Sequence, residues 1–327
     1  MKIKAVTRQM HGGGYYRLTL PLEELAQHGH ETSCVLSRLN EDTDGADVFV
    51  GQIVGGSNQG IVHAWWRDKF RQCATVYEID DDLFEIEQWN PAWQVYGEPL
   101  NLNSIRHCIE ASSAVTVSTD VLAERMSKIN PNVYVLKNCI DESMLKMERT
   151  QRDRLTIGWA GGESHMRDIE ECAYGIKRIM QWHKDVDLHI VGADLRFLIN
   201  SPRPIRWTKF STDVTGWYSA IDFDIGLAPL VPTVFAAAKS HIKALEYAAL
   251  GIPVIASDAE PYREFVIHGV TGFLVKHNHE WSKRLNELIN DEDMRAEMGA
   301  NARNLASRWT IQNHWQEWES AYKEIAR

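Results

Sequence analysis

Short apolar runs alternate along the chain with longer stretches in which apolar residues recur every three or four positions. The runs have the length and continuity of strands buried on both faces, and the 3.6-residue period marks helices with one side on a core. In the first half, strands are expected at 3–7, 29–37, 47–54, 75–79, 114–118 and 133–137. Helices are expected from a glycine-rich turn to about Gln27, and over 61–73, 103–111 and 120–128. In the second half, strands are expected at 155–159, 186–191, 205–210 and 254–256, with one more after Gly269. A final helix spans 310–325, where Ile311, Trp315, Trp318, Tyr322 and Ile325 keep helical spacing. Such alternation in both halves predicts an α/β protein of two doubly wound, Rossmann-like domains. The charged, unpatterned stretch 151–154 reads as the linker, giving domains at 1–150 and 151–308 and a terminal helix at 309–327.

Two strand-to-helix turns are rich in glycine. The first, His11 to Arg17, contains Gly13 and Gly14; the second, Ala160 to Arg167, contains Gly161, Gly162 and His165. Glycine lets backbone approach a ligand closely, and a helix N-terminus favours an anion. Arg167 falls in a first helical turn, where a cation opposes the helix dipole unless an anion is near. His165 suits a phosphate contact and equally a capping or packing role.

The stretch 239–258 reads as a helix, a stop and a buried strand. Ser240 is placed to cap the helix, Gly251 to end it in the left-handed conformation, and Pro253 to prevent its continuation. At 100° per residue, Lys239, Lys243 and Glu246 form a polar stripe opposite Ile242, Ala244, Leu245, Ala248 and Ala249. Two cations and a carboxylate suit a nucleoside diphosphate; they equally suit a solvated face with an i,i+3 pair. Lys209, at the end of the 205–210 strand, is a further candidate for a phosphate or base contact.

An apolar strand at 75–79 runs into Asp80, Asp81 and Asp82. Adjacent carboxylates repel, so the triplet needs compensation. A clamp or base for an acceptor hydroxyl, a divalent metal, and a solvated or capping turn are the readings open to it. We expect the first, with Asp81 chosen as the central member and no metal ligated. The helix over 61–73 carries Val62, Trp65, Trp66, Phe70 and Cys73 near one face; Trp66, Arg67, Lys69 and Arg71 give it a candidate membrane-contacting patch. The 90–99 loop, with Trp93 and Tyr96, is expected on the acceptor side.

Composition narrows the field. With 327 residues and 44% hydrophobic content, the chain can bury two sizeable cores. A net charge of −10 excludes a broad nucleic-acid footprint. Five cysteines without paired spacing point to reduced thiols and a cytoplasmic protein. No signal peptide and no bilayer-spanning stretch is expected.

The runs LEYAALGIPVIASD and YREFVIHGVTGFLV, with DEDMRAEMGANARNLASRWT at 291–310, resemble the donor-binding half of GT-B glycosyltransferases, family 4 in particular. The resemblance covers about 155–327; VYVLKNCID at 133–141 resembles the segment closing that family's first domain. It implies a UDP- or GDP-linked sugar donor, no further cofactor, and transfer with retention. It implies that Glu246 holds the ribose, Glu264 lies near the nucleotide, and Arg167 faces the diphosphate. It also implies a first glycine loop facing a cleft and a last helix returning to the first domain. One departure stands out: the family's second acidic residue, which contacts the donor sugar, is Ala238 here. Two rival readings follow, a sugar-nucleotide epimerase and a nucleotide-sugar-binding protein without turnover. The acceptor, whether lipid, glycan, protein, small molecule or modified nucleobase, carries no signature.

Overall fold

The computed structural model describes residues 1–36, 41–150 and 152–327. Ser37, at the end of one expected strand, and Gln151, in the expected linker, lie outside them. The chain forms two compact units. The first comprises 1–140, 238–240 and 311–327; the second comprises 141–237 and 241–310.

The first unit is built on six parallel strands: β1 (Lys2–Thr7), β2 (Glu31–Leu36), β3 (Val48–Gln52), β4 (Ala74–Ile79), β5 (Ala114–Val117) and β6 (Val133–Val135). Their order is β2-β1-β3-β4-β5-β6, with Ala5 opposite both Cys34 and Val50. Its helices are α1 (Leu20–Gln27), α2 (Gln59–Gln72), α3 (Trp93–Tyr96), α4 (Pro99–Glu110) and α5 (Asp120–Met126). The chain winds outward from β1 to β2, then back across to β3, so the loop after β1 opens at a topological switch point.

The second unit repeats the scheme with β7 (Thr156–Gly161), β8 (Asp187–Gly192), β9 (Arg206–Lys209), β10 (Ile225–Ala228), β11 (Val254–Ser257) and β12 (Gly272–Val275). The order is β12-β11-β10-β7-β8-β9, all parallel, with the switch between β7 and β10. Its helices are α6 (Met166–Trp182), α7 (Val214–Ala220), α8 (Val234–Ala237), α9 (Ile242–Ala249), α10 (Glu260–Arg263), α11 (Asn278–Asn290) and α12 (Glu292–Ala306). Trp159, Ile176, Ile190, Leu227, Ile255 and Leu285 are among its buried core residues. The last helix, α13 (Ile311–Ile325), belongs to the first unit and packs on α1. There Trp315 stacks on His28 at 3.7 Å, and the buried Arg17 guanidinium lies 4.9 Å from the Trp318 ring centre.

The α/β class and doubly wound sheets are as the patterning predicts. Several local expectations need correction. Helix α4 begins at Pro99, earlier than expected, because proline suits the first turn. Helix α2 buries Val62, Trp65, Trp66 and Lys69 and exposes Phe70. The Trp66 indole donates to Cys108 O and Ser112 Oγ, both at 3.0 Å, so it is no part of a surface patch. Lys69 is also withdrawn, its ammonium 5.8 Å from the Trp65 ring centre. Arg67 and Arg71 alone remain exposed of the four patch residues. Among the described residues no helix is long and apolar enough to cross a membrane.

Candidate active site

In the second unit Gly161, Gly162, His165 and Lys243 lie at the carboxyl end of β7. That strand ends at Gly161; Gly162 and a short turn, Glu163–His165, lead into α6. The buried Tyr247 of α9 ties the region together: its hydroxyl accepts from Ala160 N at 2.9 Å and donates to Leu227 O at 3.3 Å. Lys243, one helical turn earlier, is buried too. Its ammonium donates to Ala160 O and lies 4.8 Å from the Trp159 ring centre. A Cβ placed on Gly161 would come within 2.8 Å of that ammonium, whereas one on Gly162 would meet nothing within 4 Å. The glycine at 161 therefore makes room for the Trp159 ring and Lys243, and the one at 162 leaves backbone open.

His165 precedes α6, and its Nδ1 is 2.6 Å from Asp168 Oδ2. Asp168 is buried, and its other oxygen accepts from Val231 N at 2.8 Å. The imidazole is thus held against the glycine turn by a carboxylate fixed to the chain after β10. Arg167 is exposed, with Glu170 at 3.8 Å. Glu246 is buried on α9, and Oε1 accepts from Trp217 Nε1 of α7 at 3.1 Å. Glu264 Oε2 lies 3.6 Å from Nδ1 of His241, a buried ring stacked on Phe265. Lys209 is exposed at the end of β9. Asp222 is a structural hub, bound to His189 at 2.8 Å and to Arg206 at 2.6 and 2.7 Å, and also to Arg152. Burial pushes its pKa up, but these partners outweigh burial and hold it well below the usual carboxylate range.

The expected stripe on α9 is split. The helix starts at Ile242 behind His241, with no side-chain cap. Ser240 does not cap it: its hydroxyl accepts from Asn138 Nδ2 at 2.8 Å in the first unit. Ala238 O accepts from Thr119 Oγ1 at 2.8 Å, and Lys239 Nζ reaches Asp81 Oδ1 at 2.9 Å. Residues 238–240 are extracted from the helical register by these bonds, so Lys239 does not share a helical face with Lys243 and Glu246.

In the first unit the three aspartates part company beyond β4. Asp82 is buried; it caps the next turn, accepting from Phe84 N at 3.2 Å, and pairs with Arg125 at 2.6 Å. Asp81 is held by Lys239. Asp80 lies beneath the first glycine loop, where a Cβ on Gly13 would collide with Oδ2. Gly14 serves the loop itself, since a Cβ there would strike Gln9 O. Burial, reinforced by Asp81 and Glu78, raises the Asp80 pKa to about 7; Arg17 and Lys239 oppose the rise. The Arg8 guanidinium lies 5.5 Å from the Tyr96 ring centre. Among the described residues no group of three or more His, Cys, Asp or Glu is arranged to hold a metal ion.

Comparison with known proteins now bears on this arrangement. The family model for Glycosyl transferases group 1 matches residues 242–305. The capsular polysaccharide biosynthesis glycosyltransferase CapM of Staphylococcus aureus is 25% identical over 195 residues, 56% of this chain. The chain matches 49%, about half, of the length of that relative. HepE of Anabaena, solved in complex with UDP, superposes with a TM-score of 0.70 at 15% identity, covering 99% of this chain and 100% of its own. Sucrose-phosphate synthase of Thermosynechococcus elongatus gives 0.75 at 12% identity, covering 99% of each chain. The structural likenesses carry the fold, and the family match is confined to residues 242–305.

The chain has the GT-B fold, and its residues 242–305 match the glycosyl transferases group 1 model.

Within this GT-B fold, Asp168 and Trp217 are candidate-site residues that sequence reasoning missed, through their contacts with His165 and Glu246. Asp168 had a faint signal, a carboxylate three positions after His165 at a helix start. Trp217 had none, because its contact with Glu246 joins two helices 29 positions apart. Neither Arg8 nor Tyr96 was paired in advance, although both flank expected site segments.

Proposed function

We propose that the chain transfers a sugar from a UDP- or GDP-linked donor to an acceptor hydroxyl, with retention at the anomeric carbon and without a metal. The observation that carries this reading is the placing of Lys243 and His165 at the Gly161–Gly162 turn, with Glu246 about one helical turn beyond Lys243 on α9. In it the second unit takes the nucleotide and diphosphate, and the first unit the acceptor. Glu246 accepts from the ribose hydroxyls, and Glu264 lies beside the nucleotide. Lys243, Arg167 and His165 offset the charge that develops on the departing diphosphate. The anomeric C–O bond breaks with its electron pair going to the diphosphate, while the acceptor oxygen bonds to the same carbon. The hydroxyl proton passes to a first-unit carboxylate, for which the geometry favours Asp80 over the Asp81 chosen from sequence: Asp81 and Asp82 are already engaged by cations. A cytoplasmic location belongs to the same reading, supported by five cysteines that remain free thiols.

The test has two stages. A thermal-shift series with UDP- and GDP-sugars identifies the donor, since a ligand of the folded state raises its melting point. The donor found is then incubated with candidate acceptors, with and without a chelator. Release of nucleoside diphosphate together with a glycosylated product of retained configuration is expected, unaffected by the chelator. A modified donor released without acceptor would instead identify an epimerase. Tight binding with no turnover would leave a binding protein, and loss of activity on chelation would end the metal-free assignment.

A further inference from the structure

The carboxylate assigned to the ribose is not positioned by its own helix alone. Glu246 sits on α9, and its Oε1 accepts a hydrogen bond from the indole of Trp217, on α7, at 3.1 Å. The two helices are the crossovers on either side of β10: α7 leads into it and α9 follows it. Trp217 is itself set by a firm local frame. Asp213 caps α7 by accepting from Gly216 N at 2.6 Å, and Trp217 N donates to Asp213 O at 2.9 Å. The Phe210 ring packs against the indole with centroids 5.0 Å apart.

A buried carboxylate has several rotamers open to it, and a hydrogen bond from a rigid donor selects among them. An indole is a donor only, so it holds the oxygen facing it in one role whatever the pH. We infer that Trp217 is a positioning residue for nucleotide recognition: by fixing Glu246 Oε1, it sets the carboxylate plane against which ribose hydroxyls are read, and so makes the site selective for ribonucleotides. This rests on the ribose assignment for Glu246. It extends that assignment to a residue on another helix and to a measurable selectivity.

The experiment compares UDP and GDP with their 2′,3′-dideoxy counterparts by calorimetry. Four proteins are used: wild type, Trp217→Phe, Glu246→Gln and the double variant. Phenylalanine keeps an aromatic ring on the Phe210 side while removing the N–H together with part of the indole. Phe210→Leu serves as a control that loosens the same packing while leaving the N–H in place.

Wild type is expected to prefer the ribonucleotide. Trp217→Phe should lose that preference by roughly tenfold, the low end of what a hydrogen bond to a charged group contributes. Glu246→Gln should lose it as well, and the double variant should lose no more than Glu246→Gln alone, because the two residues act as one unit. Phe210→Leu should keep the preference. Should Trp217→Phe retain it while Glu246→Gln loses it, the positioning role is wrong and the ribose assignment survives. A preference retained in Glu246→Gln, or no nucleotide binding by wild type, overturns both. Equal losses in Phe210→Leu and Trp217→Phe would reduce Trp217 to packing and overturn the inference.

Discussion

Lys239 and Asp81 form a bidentate ion pair, with the ammonium 2.9 Å from Oδ1 and 3.2 Å from Oδ2. The pair brings residue 239 into the same unit as the aspartate triplet. Its consequence falls on the neighbour. Asp81 raises the pKa of Asp80, and Lys239 lowers it. Removing the cation in Lys239→Ala should therefore move the rising limb of the pH–rate profile upward from about 7, and Asp81→Asn should move it downward. The measurement is kcat/KM against pH for each variant. Shifts in the same direction for both would show that the pair does not tune Asp80.

Asp80 itself has a stability signature of definite sign. Its folded pKa lies near 7, above the ordinary carboxylate value of 3.8, so between those limits the folded state binds the extra proton. Stability is then lost as pH rises from 4 towards 7, because ionising the carboxyl in its desolvated site is unfavourable. Asp80→Asn removes the ionisation. The variant should melt higher than wild type at pH 8, with the gap closing towards pH 4, while turnover falls by about 10²-fold or more, the usual contribution of a general base. Melting curves at the two pH values, with rates on the identified acceptor, check both parts. Unchanged turnover would leave Asp80 an inert carboxyl.

Asp82 should behave in the opposite way. It caps a turn and pairs with Arg125 while almost wholly buried. Asp82→Asn should cost about 2 kcal/mol of stability, between the loss of a cap and the loss of a buried pair. Activity per folded molecule should stay near wild type. Denaturant unfolding and an active-fraction assay separate the two effects, and a large fall in turnover with stability intact would contradict the structural role.

These contrasts mark where sequence reading stops. The strands and most helices were legible because burial on one or two faces imposes a period on the residues themselves. The sharp end of α9 at Gly251 was legible for a similar reason: a left-handed turn, here with φ of +67°, admits glycine readily and other residues poorly. Ser240 and Lys239 were misplaced because their helical spacing was real, whereas the bonds that draw them away come from Thr119, Asn138 and Asp81, over a hundred positions distant. The triplet at 80–82 was legible as a cluster but not as three different groups. Its division depends on Gly13, Lys239 and Arg125, and no local pattern announces which aspartate meets which.

The two glycines after β7 offer the sharpest local test. Neither Gly161 nor Gly162 has a positive φ, so alanine meets no backbone strain at either position. What differs is space. Alanine at 161 would press its Cβ within 2.5 Å of the Trp159 ring and 2.8 Å of the Lys243 ammonium. The ring is buried in the core, so the strand end must shift away from it and the lysine must move as well. Overpacking of this kind costs roughly 1–3 kcal/mol, and donor affinity should fall along with stability. Alanine at 162 would meet nothing within 4 Å, and stability should stay within about 0.5 kcal/mol of wild type. If the donor diphosphate lies against that backbone, however, the added methyl occupies its place, so Gly162→Ala should bind the donor more weakly with its melting point unchanged. Calorimetric titration of the nucleoside diphosphate, beside a melting curve for each variant, reads the two effects separately. Wild-type affinity in Gly162→Ala would move the diphosphate away from this turn, and wild-type affinity in Gly161→Ala would remove Lys243 from its recognition.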